Sequence, residues 1–184
     1  MILSSTARPM STTFPPETVE IPSAMVPEAL GKGQLDAALA SEPWVTRILR
    51  DGSGDILVPA QEVIPDGQTS VVLFGRKLLV ENRDAGKRFM VAYLKAVRQY
   101  DKGKTERNLE ILGKYTGLED ELLRLACWQS LRVNGEIDVQ GVLDFQEWAA
   151  EKGLIKRKLG VDQFWDPSFI EHANQVLRAS TQSK

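Results

Sequence analysis

Helical pattern fills the chain after Gly75, while strand-like runs occur only before it, and that imbalance restricts what the sequence can build. Ala85–Tyr100 carries Phe89, Val91, Ala92, Leu94, Ala96 and Val97 between Lys87, Arg88, Lys95 and Arg98, which predicts an amphipathic helix on a core. Thr105-Glu106-Arg107-Asn108 opens a second, with Leu109, Ile111 and Leu112 inside and Gly117 as its stop. Leu118–Trp128 reads as a third, with Glu119 and Asp120 favourable in its first turn. A fourth spans Asp138–Lys152, with Val139, Val142, Leu143, Phe145 and Trp148 on the buried side and Gly153 at its end. Asp166-Pro167-Ser168 begins the last, Phe169–Leu177.

Ahead of Gly75 the pattern alternates. Residues 1–23 are rich in Ser, Thr and Pro and predict an extended or disordered lead-in. Val26–Leu30 is a short helix, with Ser23 as candidate cap and Gly31 and Gly33 ending it. Leu35–Ala40 is short and apolar between turn residues, which favours a buried strand. Glu42-Pro43-Trp44 opens a helix to about Arg50, with Pro43 at the first helical position and Ser41 or Glu42 as cap. Asp51–Gly54 and Pro65–Gly67 are turns, and Asp55–Val58 and Thr69–Phe74 are strands. The fold class is therefore α/β. So few strands do not make a self-sufficient sheet, so the sequence reads as part of a larger α/β arrangement.

Composition removes several functions. The formal net charge of −2 gives no electrostatic reason to expect nucleic acid or an anionic membrane as partner. A single cysteine, Cys127, excludes an internal disulfide, a multi-cysteine zinc site and a CxxC pair, and predicts a small buried apolar residue. No apolar run approaches the roughly 18–20 residues of a spanning helix. Residues 1–20 lack the apolar stretch of about 7–15 residues that a secretory signal needs. The one histidine, His172, has no neighbours at metal-ligand or triad spacing, and no phosphate loop or nucleophile elbow is present. The chain is therefore expected to hold no metal, to need no cofactor and not to be an enzyme. Lys156-Arg157-Lys158 reads as a solvated turn, and Trp128, Trp148 and Trp165 read as core.

Residues 25–50, MVPEALGKGQLDAALASEPWVTRILR, resemble a helix, a Gly-x-Leu-Asp-Ala strand and a Glu-Pro helix start found in one group of binding proteins. Tyr115-Thr116-Gly117, Asn134-Gly135-Glu136-Ile137-Asp138 and Trp165-Asp166-Pro167-Ser168-Phe169-Ile170 with Ala173 follow in the matching order. Together, over about residues 25–178, they resemble ABC-transporter substrate-binding proteins, the type-2 periplasmic binding proteins of the nitrate/sulfonate/taurine and thiamine-pyrimidine-precursor group. The resemblance implies an incomplete type-2 periplasmic-binding-protein fold, with few strands and then a helical C-terminal half. Residues 24–75 would be part of the second lobe with a crossover strand, and 76–184 the helical part of the first. Roughly half of the family's fold has no counterpart here.

The resemblance also implies a function: a small organic molecule held between two lobes and presented to an ABC permease in the membrane, in the periplasm or otherwise outside the cytoplasm. The ligand position falls at Ser41, Glu42 and Trp44, with Asp36 on the preceding strand. A helix start there offers free N–H groups, Trp44 an aromatic face, and Glu42 a carboxylate that repels bare anions and accepts from an amine or amidine-like group. The plainer reading is that Glu42 caps its own helix, Trp44 is core and Asp36 holds a structural hydrogen bond. Two alternatives stand beside this: an enzyme like those that make the thiamine pyrimidine precursor, which use a histidine-rich segment, and a helical interaction domain without ligand. Exposed strand edges predict self-association.

Overall fold

Two apolar clusters organise the chain, one around Leu30 and Ile48, the other around Leu94 and Phe169. The computed structural model describes residues 2–4, 17–64, 67–68 and 70–182. They divide into two units, Met1–Pro65 with Lys104–Gln129, and Asp66–Gly103 with Ser130–Lys184. The first unit change falls near residue 65, and residues 104–129 group with the N-terminal part of the chain.

In unit 1, α1 (Val26–Gly31) follows a 3₁₀ turn at Ser23–Met25. Ser23 lies inside that turn and makes no cap; Pro27 occupies the first helical turn, where a missing N–H costs nothing. Gly33 has φ 66° and lets the chain close on α1, with Gly33 N–H donating to Leu30 O and Gln34 N–H to Ala29 O at 3.0 and 2.9 Å. Leu30 and Ile48 of α2 (Trp44–Arg50) are fully buried, with Val26 beside them and Ile21, Leu35, Ala38, Ala40 and Val45 around them.

The sheet has three antiparallel strands in the order β2-β1-β3. β2 is Ala37–Ala38 and β3 is Gly54–Ile56, shortened versions of the strands expected at 35–40 and 55–58. The middle strand, β1, is Ile2–Ser4, placing Ile2 opposite Ala38 on one side and Ile56 on the other. The lead-in expected over 1–23 therefore contains a strand; three residues suffice, because a strand this short needs only backbone partners on each side. A short helix, α3 (Ala60–Val63), follows β3 where none was expected.

The helices expected from Thr105 and Leu118 complete unit 1. α5 (Glu106–Thr116) is capped by Thr105, whose hydroxyl accepts from Asn108 N–H at 3.2 Å, and ends at Gly117, φ 70°. α6 (Asp120–Leu125) buries Leu122 and Leu123 and packs on α5 and α2. Arg124 of α6 donates from Nη1 and Nη2 to both Glu106 oxygens at 2.9 and 2.7 Å, and Lys104 donates to Arg124 O. These contacts, local to residues 104–129 and α2, hold that segment in unit 1.

Unit 2 is built on α4 (Arg83–Tyr100) against α9 (Ser168–Gln182). Asn82 caps α4, its side-chain oxygen accepting from Ala85 N–H at 3.0 Å. The buried stripe runs Gly86, Met90, Leu94, Val97, and two of these, Met90 and Leu94, cluster with Phe169, Ile170, Ala173 and Leu177 of α9. Of the residues expected inside, Leu94 and Val97 are, but Phe89 is 47% exposed and Ala92 and Ala96 face solvent. The helix is rotated toward Met90, whose apolar chain belongs to the same 3.6-residue period.

The strand expected at 69–74 does not form. Ser70–Gly75 carry no strand pairing, and Leu73 is 85% exposed; Thr69 lies outside the described residues, as do Pro65 and Asp66 of the expected turn. A β-branched run becomes a strand only beside a partner, and unit 2 has no strand among its described residues. Phe74 packs instead edge-on against Phe89 and Phe169, with centroids 5.4 and 5.2 Å apart. A π-helical turn at Lys77–Glu81 then leads into α4. α7 (Val139–Glu151) is capped by Asp138, which accepts from Gly141 N–H at 3.0 Å, yet buries only Ala149. Phe145 is 63% and Trp148 47% exposed, against the expected buried side. A short α8 (Val161–Phe164) precedes α9. No helix among the described residues is long and apolar enough to cross a membrane.

Candidate functional site

The corner between β2 and α2 carries the residues singled out for ligand contact. Ser41 and Asp36 are exposed, and Glu42 and Trp44 are half-buried. Pro43 sits at the N-cap, one residue earlier than expected, after a cis Glu42–Pro43 bond, and Trp44 is the first helical residue.

The first N–H groups of α2 are all taken. Trp44 and Val45 N–H donate to Ser41 O at 3.0 and 3.3 Å, and Arg47 N–H donates to Pro43 O at 3.1 Å. Thr46 N–H and Oγ1–H both donate to Glu42 Oε2, at 3.2 and 2.8 Å. The free N–H groups expected at this helix start are therefore absent, because the chain turning through Ser41 and Glu42 supplies its own acceptors.

Glu42 does more than cap. Its other oxygen, Oε1, accepts from Cys127 N–H at 3.0 Å. An ionised carboxylate offers about four lone-pair directions; three here point at α2 and at the segment after α6. Capping by Glu42 was visible in the sequence. The link to Cys127 was not, since the two residues lie 85 positions apart.

Asp36 lies at a bend just before β2 and not within a strand, with no hydrogen bond or ion pair among the described residues. The two-residue strand begins after it, and the residue is exposed. Trp44 lies outside the apolar cluster of unit 1. Cys127 is exposed and follows α6, because the helix ends at Leu125 and leaves the thiol off its buried face. His172 is half-buried on α9. No group of acidic, histidine and cysteine side chains able to hold a metal occurs among the described residues. In unit 2 a shallow open depression of about 190 Å³ lies along α9, lined by Glu136, Ile170, Glu171, Asn174, Gln175 and Arg178. No sequence signal marked it, since these residues are spaced as any polar helix face would be.

The sequence profile of the NMT1-like family matches residues 12–113, more than half of the chain. This chain belongs to the NMT1-like family. The match spans α1, β2, α2, β3 and α4, and so includes the Ser41–Trp44 corner. No curated protein matches. Among solved structures, the ligand-binding component of an ABC-type import system from Staphylococcus aureus, with zinc bound, superposes with a TM-score of 0.70 at 22% identity. The superposition covers 84% of this NMT1-like chain and 52% of that protein, so the chain spans about half of its length. At that identity the likeness is one of fold. The NMT1-like chain is an α/β protein, few strands and then a helical C-terminal half, carrying about half of a binding-protein fold.

Proposed function

We propose that this NMT1-like chain is part of a solute-binding protein, not an enzyme, that works outside the cytoplasm with an ABC permease in the membrane. The observation that carries the reading is the fold likeness to an import system's ligand-binding component over 84% of the chain, together with family membership. The ligand is a small organic molecule with a heteroaromatic ring or an amine, held at the β2–α2 corner. Trp44 offers it a ring face, Ser41 a hydroxyl, and Asp36 an exposed carboxylate, with Glu42 behind them. Nitrate or a sulfonate is disfavoured there, because the helix start has no donor to spare and two carboxylates stand nearby.

The test is a titration of the purified chain with aminopyrimidines, simple amines, taurine and nitrate, followed by NMR at the Trp44 indole. Binding to the first two classes near the millimolar range, about −4 kcal/mol, and its loss in Trp44→Ala are expected. Preference for taurine or nitrate would overturn the ligand class. Because the chain carries about half of a binding-protein fold, any binding is expected to be weak, and a saturable response that is unchanged in Trp44→Ala would overturn the corner as the site.

A further inference from the structure

We infer that Glu42 is a positioning residue, a tether that fastens the segment after α6 to the first turn of α2. The carboxylate reaches in two directions at once: Oε2 takes both donors of Thr46, and Oε1 takes the backbone N–H of Cys127. Cys127 stands two residues before Gln129, where the chain leaves unit 1. The same carboxylate is next to Pro43 and Trp44. One side chain therefore fixes the corner that opens α2 and the strand of backbone by which unit 1 is exited. A displacement of the Ser41–Trp44 corner must carry residues 126–129 with it or break these bonds.

Three features support a tether over an ordinary cap. A cap serves its own helix, and the two Thr46 bonds already accomplish that. The third bond spans 85 positions of sequence and ends on a backbone donor beyond the end of α6, which stops at Leu125 with Ala126 N–H donating back to Leu122 O at 2.8 Å. Bonds to an ionised acceptor are also stronger than neutral ones, so this N–H has a good partner although Cys127 itself is exposed. The inference needs only these contacts and stands whether or not the chain binds a solute.

Amide hydrogen exchange in the ligand-free full chain tests it, read at Thr46 and at Cys127. Glu42→Ala should raise exchange at both amides by about tenfold or more, leaving the Leu30 and Ile48 amides of the same unit unchanged. Glu42→Asp shortens the side chain by one methylene but keeps a good capping carboxylate. It should retain protection at Thr46 and lose it at Cys127. Thr46→Val, which removes one donor on the helix side, should leave Cys127 protected. If Glu42→Ala does not fold, Glu42→Asp decides. Protection at Cys127 that survives Glu42→Asp, or survives Glu42→Ala in a folded chain, would overturn the tether and leave Glu42 a cap alone.

Discussion

Single residues set the tightest limits in unit 2. A Cβ placed on Gly86 would stand 2.7 Å from a Phe169 ring carbon and 3.0 Å from Leu78 O, so α4 and α9 approach where only hydrogen fits. Gly86→Ala is expected to destabilise the fold by about 1–3 kcal/mol, seen as a lower urea midpoint. Nearby, Arg83 donates to Leu79 O at 2.7 Å, to Asp166 Oδ2 at 3.0 Å and to Ser168 Oγ at 2.8 Å, and lies 4.5 Å from the Phe169 ring centroid. Burial pushes the Asp166 carboxyl up, but hydrogen bonds from Ser168 and Arg83 outweigh it and hold the group below the usual carboxylate range. A carboxyl depressed in the folded state stabilises above its unfolded value, near pH 4, and loses that contribution as pH falls through the folded one. Asp166→Asn should therefore flatten the acid branch of the stability profile below about pH 4, measured by denaturation across pH. The Asp-Pro-Ser start of α9 was legible; its arginine partner, 83 positions away, was not.

At the scale of elements, local signals read well and partner-dependent ones did not. The stops at Gly117 and Gly153 and the helix starts at Thr105 and Asp138 stand where the sequence puts them, because each is settled within four residues; that Thr105 and Asp138 are side-chain caps is seen in the structure. Removing the Thr105 cap with Thr105→Ala should cost about 1 kcal/mol, detected as a lower thermal midpoint. The extended run at 70–74 and the apolar side of α7 carry correct patterns that lack a neighbour, so neither pairs nor buries as the pattern alone implies. A periodic stripe states which face can be covered, not that something covers it. Where the partner is in the chain, as for Leu94 against α9, truncation is expensive: Leu94→Ala should cost about 2–5 kcal/mol, read by the same urea titration. At the β2–α2 corner, the positions of Ser41, Glu42 and Trp44 were legible, while the consumption of every helix-start donor required knowing how the turn folds back.

For the whole molecule, neither unit is a continuous stretch: the chain passes between them after residues 65, 103 and 129. A chain ending at Gly103 would lack α5 and α6 from one unit and α9 from the other, and it is expected to show little helical circular dichroism relative to the full protein. The middle strand of the sheet has a kinetic consequence. Pairing Ile2 with Ile56 closes a loop of most of unit 1's first segment, whereas α1 and α2 form from neighbours a few residues apart. Closing long loops is entropically unfavourable until other contacts shorten the effective path. During refolding, the β1-facing amides of β3 (Gly54–Ile56) should thus gain protection later than that of Ile48, and simultaneous protection in a pulse-labelling experiment would show that the first residues dock early.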